Sequence, residues 1–266
     1  MSSTAYAVRQ YISFTADEFL GLSVTSLFIA FIVSARDLLF ERWGEALAVQ
    51  RFLLTFVFLL LILLATVWFC KAIAIRLGYT INYKSHHTGL VFGGLVAVAS
   101  AGFLPIFLPG GFDYHQPERL AVGKWRGYRK GWEVALIAAA FPLFLLAWIL
   151  LLSPIYLLSQ GEFYAHIMEA VILIALFACI PMVFIRPHHG GRAYDWFRYL
   201  GGTTFGLDVF FASPAWWAAL CAAVVVFGMY TYLLTTLATP VTIFVYIASL
   251  FTGGMIVWIY NMFFRQ

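Results

Sequence analysis

The sequence predicts an all-α polytopic membrane protein: about six transmembrane helices plus one re-entrant or bent membrane-embedded segment with a short strand. Three observations predict it. The 266 residues are 63% hydrophobic and 11% charged, with a mean hydropathy of +0.91. A water-soluble exterior needs far more charge than that, so the soluble globular classes are excluded. Phe52–Cys70, Val134–Gln160 and Val209–Phe264 run without a single charged residue, each long enough to cross a hydrocarbon core of about 30 Å as a helix. Thr88–Leu108 is also apolar, but it holds Gly89, Gly93, Gly94, Gly102 and Pro105, with Pro109 just beyond.

Spans are expected at Phe19–Ala35, Phe52–Ile75, Val134–Leu158, His166–Ile185, Ala215–Leu237 and Val241–Phe264. Asp17 and Glu18 lead the first and complement the positive end of its dipole. Pro240 opens the last, where its missing N–H is of no consequence. The glycines and prolines of Thr88–Leu108 favour a bent or re-entrant element over a regular span. Tyr79–Lys84 alternates and is rich in β-forming residues, so a short strand is expected there. A basic n-region leading directly into a short apolar stretch and cleavage site is missing from the N-terminus, so no removable signal peptide is expected. Cys70, Cys179 and Cys221 fall inside apolar spans and read as buried free thiols.

Charge sets the orientation. If Thr88–Leu108 re-enters, one side receives Arg9, Lys71, Arg76, Lys84, Arg119, Lys124, Arg126, Arg129, Lys130, Arg186, Arg192, Arg198 and Arg265. The other receives Arg36, Arg42 and Arg51, offset by Asp37, Glu41 and Glu45. The positive-inside rule then puts both termini in the cytoplasm of a multi-pass cell-membrane protein. A full crossing at Thr88–Leu108 also gives a biased distribution, so the glycines and prolines decide for re-entry. The tract Glu118–Glu133, with Lys124, Trp125, Arg126, Tyr128, Arg129, Lys130 and Trp132, suits anionic headgroups rather than nucleic acid. Trp125, Trp132, Trp196, Trp216 and Trp217 read as an interfacial belt, and Gly253–Gly254 permits close helix contact.

Three segments carry a family resemblance. Thr66–Gly78 (Thr-Val-Trp-Phe-Cys-Lys-Ala-Ile-Ala-Ile-Arg-Leu-Gly) resembles the end of the second helix of site-2-protease-like (M50) intramembrane zinc metalloproteases, where a His-Glu-x-x-His motif runs into a basic, apolar stretch closing on Tyr/Leu-Gly. Tyr79–Pro109 is similar to the strand and embedded loop that follow. Arg129–Pro142, leading into Leu143–Leu158, resembles the family's loop entering a helix through Gly-Pro-x-x-Asn. Ile180–Arg192, with Pro181, Pro187, His188, His189, Gly190 and Gly191, resembles its Pro-rich approach to Leu-Asp-Gly. The resemblance covers residues 52–200 of a single membrane domain, 1–266, leaving 201–266 as two additional C-terminal helices.

The resemblance implies a site whose chemistry is gone. The family's two histidines, one turn apart, and its aspartate hold zinc, and the glutamate acts as general base. Those positions fall here on Thr66, Cys70 and His189, with Val67 at the glutamate. The Asn position is Leu145 and the Gly position Phe141, leaving Pro142. Valine cannot accept a proton and threonine is a poor zinc ligand. The expectation is a pseudoprotease without metal or other cofactor, set in the lipid bilayer and binding other transmembrane proteins or helices as a regulator or complex subunit. The alternative is an active metalloprotease holding zinc through rearranged ligands, Cys70, His188 and His189. The oligomeric state is not readable.

Other polar groups have weaker claims. Glu162, His166 and Glu169, at i, i+4 and i+7, share a helix face and suit either a relay or an interfacial role. His86, His87, Asp113, His115 and Glu118 read as loop residues beside the embedded segment. A transporter would need a second interrupted segment to match Thr88–Leu108, and the sequence offers none.

Overall fold

The computed structural model of the chain describes residues 12–41, 46–115, 131–159, 161–181 and 204–237. It is mostly helical, with one two-stranded sheet. The elements are α1 (Ala16–Arg36, continued by a π-helical turn, Asp37–Glu41), α2 (Ala46–Leu77), β1 (Thr80–Ser85), α3 (His87–Ala99), β2 (Gly110–His115), α4 (Gly131–Ser159), α5 (Glu162–Ala178), α6 (Phe205–Ala212) and α7 (Pro214–Leu237). Among the described residues four helices are long and apolar enough to cross a membrane: Ala16–Leu39, Ala48–Leu77, Gly131–Ser159 and Pro214–Thr235. They answer to four of the six expected spans.

Side-chain pairs fix the direction of each helix. At one end, Glu18 at the start of α1 meets Lys71 near the end of α2, and Glu133 at the start of α4 meets Tyr79. At the other end, Ser34 near the end of α1 meets His166 at the start of α5, Arg51 of α2 meets Glu162, and Tyr156 of α4 meets Thr235 of α7. The helices therefore run up and down between a sheet end and an opposite end. The apolar interior lies between them, with α4 central, packed against α2, α5, α6 and α7.

The segment between the strands turns back on itself. β1 and β2 pair antiparallel with Ser85 opposite Gly110 and Thr80 opposite His115, so the chain leaves and returns at one place. Between them α3 is a regular helix of 13 residues, about 20 Å long. It runs beside α1. Gly21 lies against Ser85 at the sheet end, and Arg36 lies against Gly102 and Phe103 at the turn. That stretch of α1 is about 22 Å, which is the reach of the hairpin. The turn uses Ala101 and Gly102 in the left-handed region, with φ of 53° and 80°.

Gly89 and Gly93 are not there to bend α3; they give it a flat face for the returning chain. A Cβ on Gly93 would stand 2.2 Å from the carbonyl oxygen of Ile106, and one on Gly89 would stand 2.7 Å from Leu108 Cβ. The return, residues 100–109, has no helical hydrogen-bond ladder, and Pro105 and Pro109 remove two N–H groups that would need partners. On its other side the hairpin exposes Val91, Phe92, Leu95, Val98, Phe103, Leu104 and Ile106.

Several expectations are corrected. The strand is one residue later than Tyr79–Lys84 and has a partner, Gly110–His115, that makes the fold mixed rather than purely helical. The fourth expected span ends at Ala178 rather than Ile185, with Cys179 as C-cap; Pro181 disfavours helix at the residue before it. Residues 182–185 of that span, and the whole of Val241–Phe264, lie outside the described residues. α4 starts at Gly131, so Pro142 lies three turns inside the helix and not at its mouth.

Candidate functional site

The sheet end of the bundle gathers the buried polar chemistry. Strand alternation divides the sheet: Ile81, Tyr83, Phe112 and Tyr114 turn into the core, while Lys84 and His115 face outward. On the outer face Lys84 Nζ lies 2.5 Å from Asp113 Oδ2, with His115 Nε2 at 3.6 Å. On the inner side three tyrosines each reach a different helix. Tyr79 donates to Glu133 Oε2 of α4 at 2.9 Å. Tyr114 donates to Asp208 Oδ2 of α6 at 3.1 Å. Tyr83 donates to the Pro109 carbonyl and lies 3.1 Å from the Thr25 hydroxyl of α1. Burial pushes the Tyr83 phenol above its usual range, and burial together with the Asp208 charge does the same to Tyr114. Both remain protonated donors at neutral pH.

Glu18 and Lys71 form the charged centre of this layer, each about 2% exposed. Thr15 and Glu18 make a reciprocal capping box: Thr15 Oγ1 accepts from the Glu18 N–H at 3.2 Å, and Glu18 Oε2 from the Thr15 N–H at 3.0 Å. The same carboxylate accepts from Lys71 Nζ at 2.7 Å and, through Oε1, from the Tyr83 N–H at 3.0 Å. Lys71 also donates to the Ser13 carbonyl at 2.9 Å and lies 4.9 Å from the centre of the Phe14 ring. One ion pair thus joins α1, α2 and β1. Lys71 is therefore not the surface cation that charge counting expects, and Glu18 does more than complement a dipole.

The positions singled out by the family resemblance lie just below this layer. Thr66, Val67 and Cys70 of α2 are each fully buried. The Thr66 hydroxyl donates to the Ile62 carbonyl one turn back at 2.7 Å, which commits its proton to the helix backbone. The Gly and Asn positions, Phe141 and Leu145, are fully buried too. Phe141 stacks on Phe205 at 4.1 Å between ring centres, and Phe112 meets both edge-on. Phe112, Phe141 and Phe205 thus form a packed aromatic cluster beside the sheet.

His188 and His189 lie outside the described residues, as do Glu118 and Trp125. Among the described residues no group of three or more His, Cys, Asp or Glu side chains gathers as a metal site would require. With threonine bonded to its own backbone and valine beside it, the described family positions do not fit a zinc ion.

The remaining candidates separate. His86 is buried and caps α3, its Nδ1 accepting from the Gly89 N–H at 2.9 Å, whereas His87 is exposed beside Ser85. Burial holds His86 below the usual imidazole range, in keeping with a neutral ring whose Nδ1 accepts. Glu162, His166 and Glu169 form one stripe, as spaced, but do not converge. Glu162 is exposed and bonds Arg51 at 2.9 Å, His166 turns inward to Ser34 Oγ at 3.3 Å, and Glu169 is exposed. Trp132 and Trp216 are exposed, while Trp217 donates its indole N–H to the Cys179 carbonyl at 2.8 Å.

Comparison of the chain with protein-family models, with curated proteins and with solved structures finds no match.

Sequence reasoning missed Tyr79–Glu133, Tyr114–Asp208 and Glu18–Lys71. The signal for the last was present: Thr-x-x-Glu ahead of an apolar run is a capping signature. Asp208 is the one ionisable residue in Phe205–Ala212, which marks it in the same way.

Proposed function

We propose that the protein is a non-catalytic membrane protein on a site-2-protease-like scaffold, binding other transmembrane segments as a regulator or complex subunit. In this reading α5 and Val241–Phe264 complete six spans, both termini are cytoplasmic, and the protein resides in the cell membrane. The hairpin α3–return enters the bilayer from the cytoplasmic side and goes back to it. Its outward apolar residues meet lipid or a partner helix.

One observation carries the reading: the fate of Thr66, Val67 and Cys70. All three are sealed in the core, the threonine proton is committed to Ile62, and valine offers no base. Metal-assisted hydrolysis needs an open coordination position and a proton acceptor beside the water. The element order supports the scaffold: a helix ending in Leu77–Gly78, a strand, a hairpin within the apolar layer, a second strand and a long helix.

The test is direct. The full-length chain, purified in detergent and incubated with zinc, is expected to keep less than stoichiometric metal and to leave a transmembrane reporter peptide intact. Stoichiometric zinc together with cleavage would overturn the proposal in favour of an active metalloprotease using Cys70, His188 and His189.

A further inference from the structure

We propose that Glu169 of α5 is the contact point for a partner's transmembrane helix that carries a lysine or arginine at matching depth. The inference rests on the proposed function and names the chemistry of the segment bound. Glu169 stands on the outward stripe of α5, where Glu162, Glu169 and Leu176 recur every two turns and are all exposed. Its neighbours in the chain, Met168 and Ala170, are fully buried, so the helix cannot turn the carboxylate inward without exposing them. Depth separates it from an interfacial group. The pairs Ser34–His166 and Arg51–Glu162 mark the end of the bundle opposite the sheet, and Glu169 lies about 10 Å further in than Glu162 along the helix. From Ala170 to Ala178 the helix carries apolar side chains alone. A glutamate stem is too short to return the charge to the level of Glu162.

The acids elsewhere in the bundle and sheet have partners. Glu18 holds Lys71, Asp113 holds Lys84 and Glu162 holds Arg51, while Glu133 and Asp208 accept from tyrosine hydroxyls. Glu169 has no hydrogen-bond or ion-pair partner among the described residues. The last expected span does not supply one, since Val241–Phe264 contains no Lys, Arg or His. A second copy docked on the same stripe would set carboxylate against carboxylate. The complement is therefore a cation on another protein's helix. A carboxylate left facing lipid is unfavourable, and a partner's cation at the same depth removes that penalty for both groups. Ala165, one turn before Glu169 on the same side of α5, is small enough for the partner's backbone to come close.

The experiment reconstitutes the full-length protein, donor-labelled at its N-terminal amine, in phosphatidylcholine vesicles with acceptor-labelled leucine-rich transmembrane peptides of about 20 residues. The peptides carry Lys, Leu or Glu at a single position about 10 Å from one end, and association is read by energy transfer. Wild type is expected to bind the Lys peptide about tenfold more tightly than the Leu peptide, and the Glu peptide no better than the Leu peptide. Glu169→Leu is expected to abolish the preference and Glu169→Gln to weaken it. Both variants change an outward side chain, and helical circular dichroism checks that each stays folded. Three results would overturn the inference: Lys and Leu peptides binding wild type equally or not at all, a Lys preference that survives Glu169→Leu, or tightest binding of the Glu peptide. Equal, tight binding of the Lys and Leu peptides would leave the proposed function standing. Zinc retention with cleavage would overturn that function without altering the peptide preference.

Discussion

The substitution Lys71→Met removes one half of an ion pair that is about 2% exposed on both sides. The ammonium has three proton directions, and two end on the Glu18 carboxylate and the Ser13 carbonyl, while the Phe14 ring lies at 4.9 Å. Methionine fills much the same volume, so packing is largely kept and the loss is electrostatic. It leaves a buried carboxylate held only by the Thr15 and Tyr83 N–H groups and the Thr15 hydroxyl. Breaking a buried pair from one side costs about 3–5 kcal/mol, whereas removing both charges is often close to neutral. Glu18→Gln is expected to cost a similar amount, because the Lys71 ammonium then faces an amide. The double variant is expected to be more stable than either single one, with a coupling of about 2 kcal/mol or more. The assay is SDS-titrated unfolding in mixed micelles, followed by helical circular dichroism, for the four members of the cycle. Single variants costing under about 0.5 kcal/mol, or a double variant that is simply their sum, would refute the reasoning.

The hairpin gives a second contrast. Gly93→Ala places a methyl 2.2 Å from a backbone oxygen, whereas at Gly94 the nearest atoms are on the Phe28 ring at 3.7 Å. Gly93→Ala is expected to cost about 1–3 kcal/mol or more, and Gly94→Ala to be neutral or to stabilise by up to ~1 kcal/mol; equal thermal midpoints would contradict the packing described. His86 gives a pH dependence. Burial lowers its folded value below the ordinary imidazole value, so its stabilising contribution is full above about pH 6.5 and is lost as pH falls through the lowered value. His86→Asn keeps an N-capping acceptor, so SDS unfolding compared at pH 8 and pH 5 is expected to show a smaller acid loss in that variant than in wild type.

The helices were legible because unbroken apolar runs admit no other structure in lipid. The expected starts and ends lie within a few residues of the helices at Ala16–Arg36, Gly131–Ser159 and Pro214–Leu237. Strand β1 was legible from the alternation of Ile81 and Tyr83 with Asn82 and Lys84. Its partner was not, since Gly110–His115 opens with two glycines and shows its alternation only over Phe112–His115. The glycines of α3 carried a true signal, close backbone approach, which composition alone cannot distinguish from bending. Reading Lys71 as a surface charge failed because its partner, Glu18, is far away in sequence.

The hairpin is the feature on which the proposed orientation of the chain rests, and sidedness tests it most directly. Lys84→Cys and His115→Cys flank it on the exposed face of the sheet, and the exposed Glu162→Cys marks the opposite end of the bundle. Each is placed alone in a chain whose native cysteines are replaced, reconstituted in sealed vesicles of known orientation and labelled with a membrane-impermeant maleimide. The account predicts that Lys84→Cys and His115→Cys label from one side and Glu162→Cys from the other. Labelling of Lys84→Cys and His115→Cys from opposite sides would show that residues 87–109 cross the bilayer, and would contradict it.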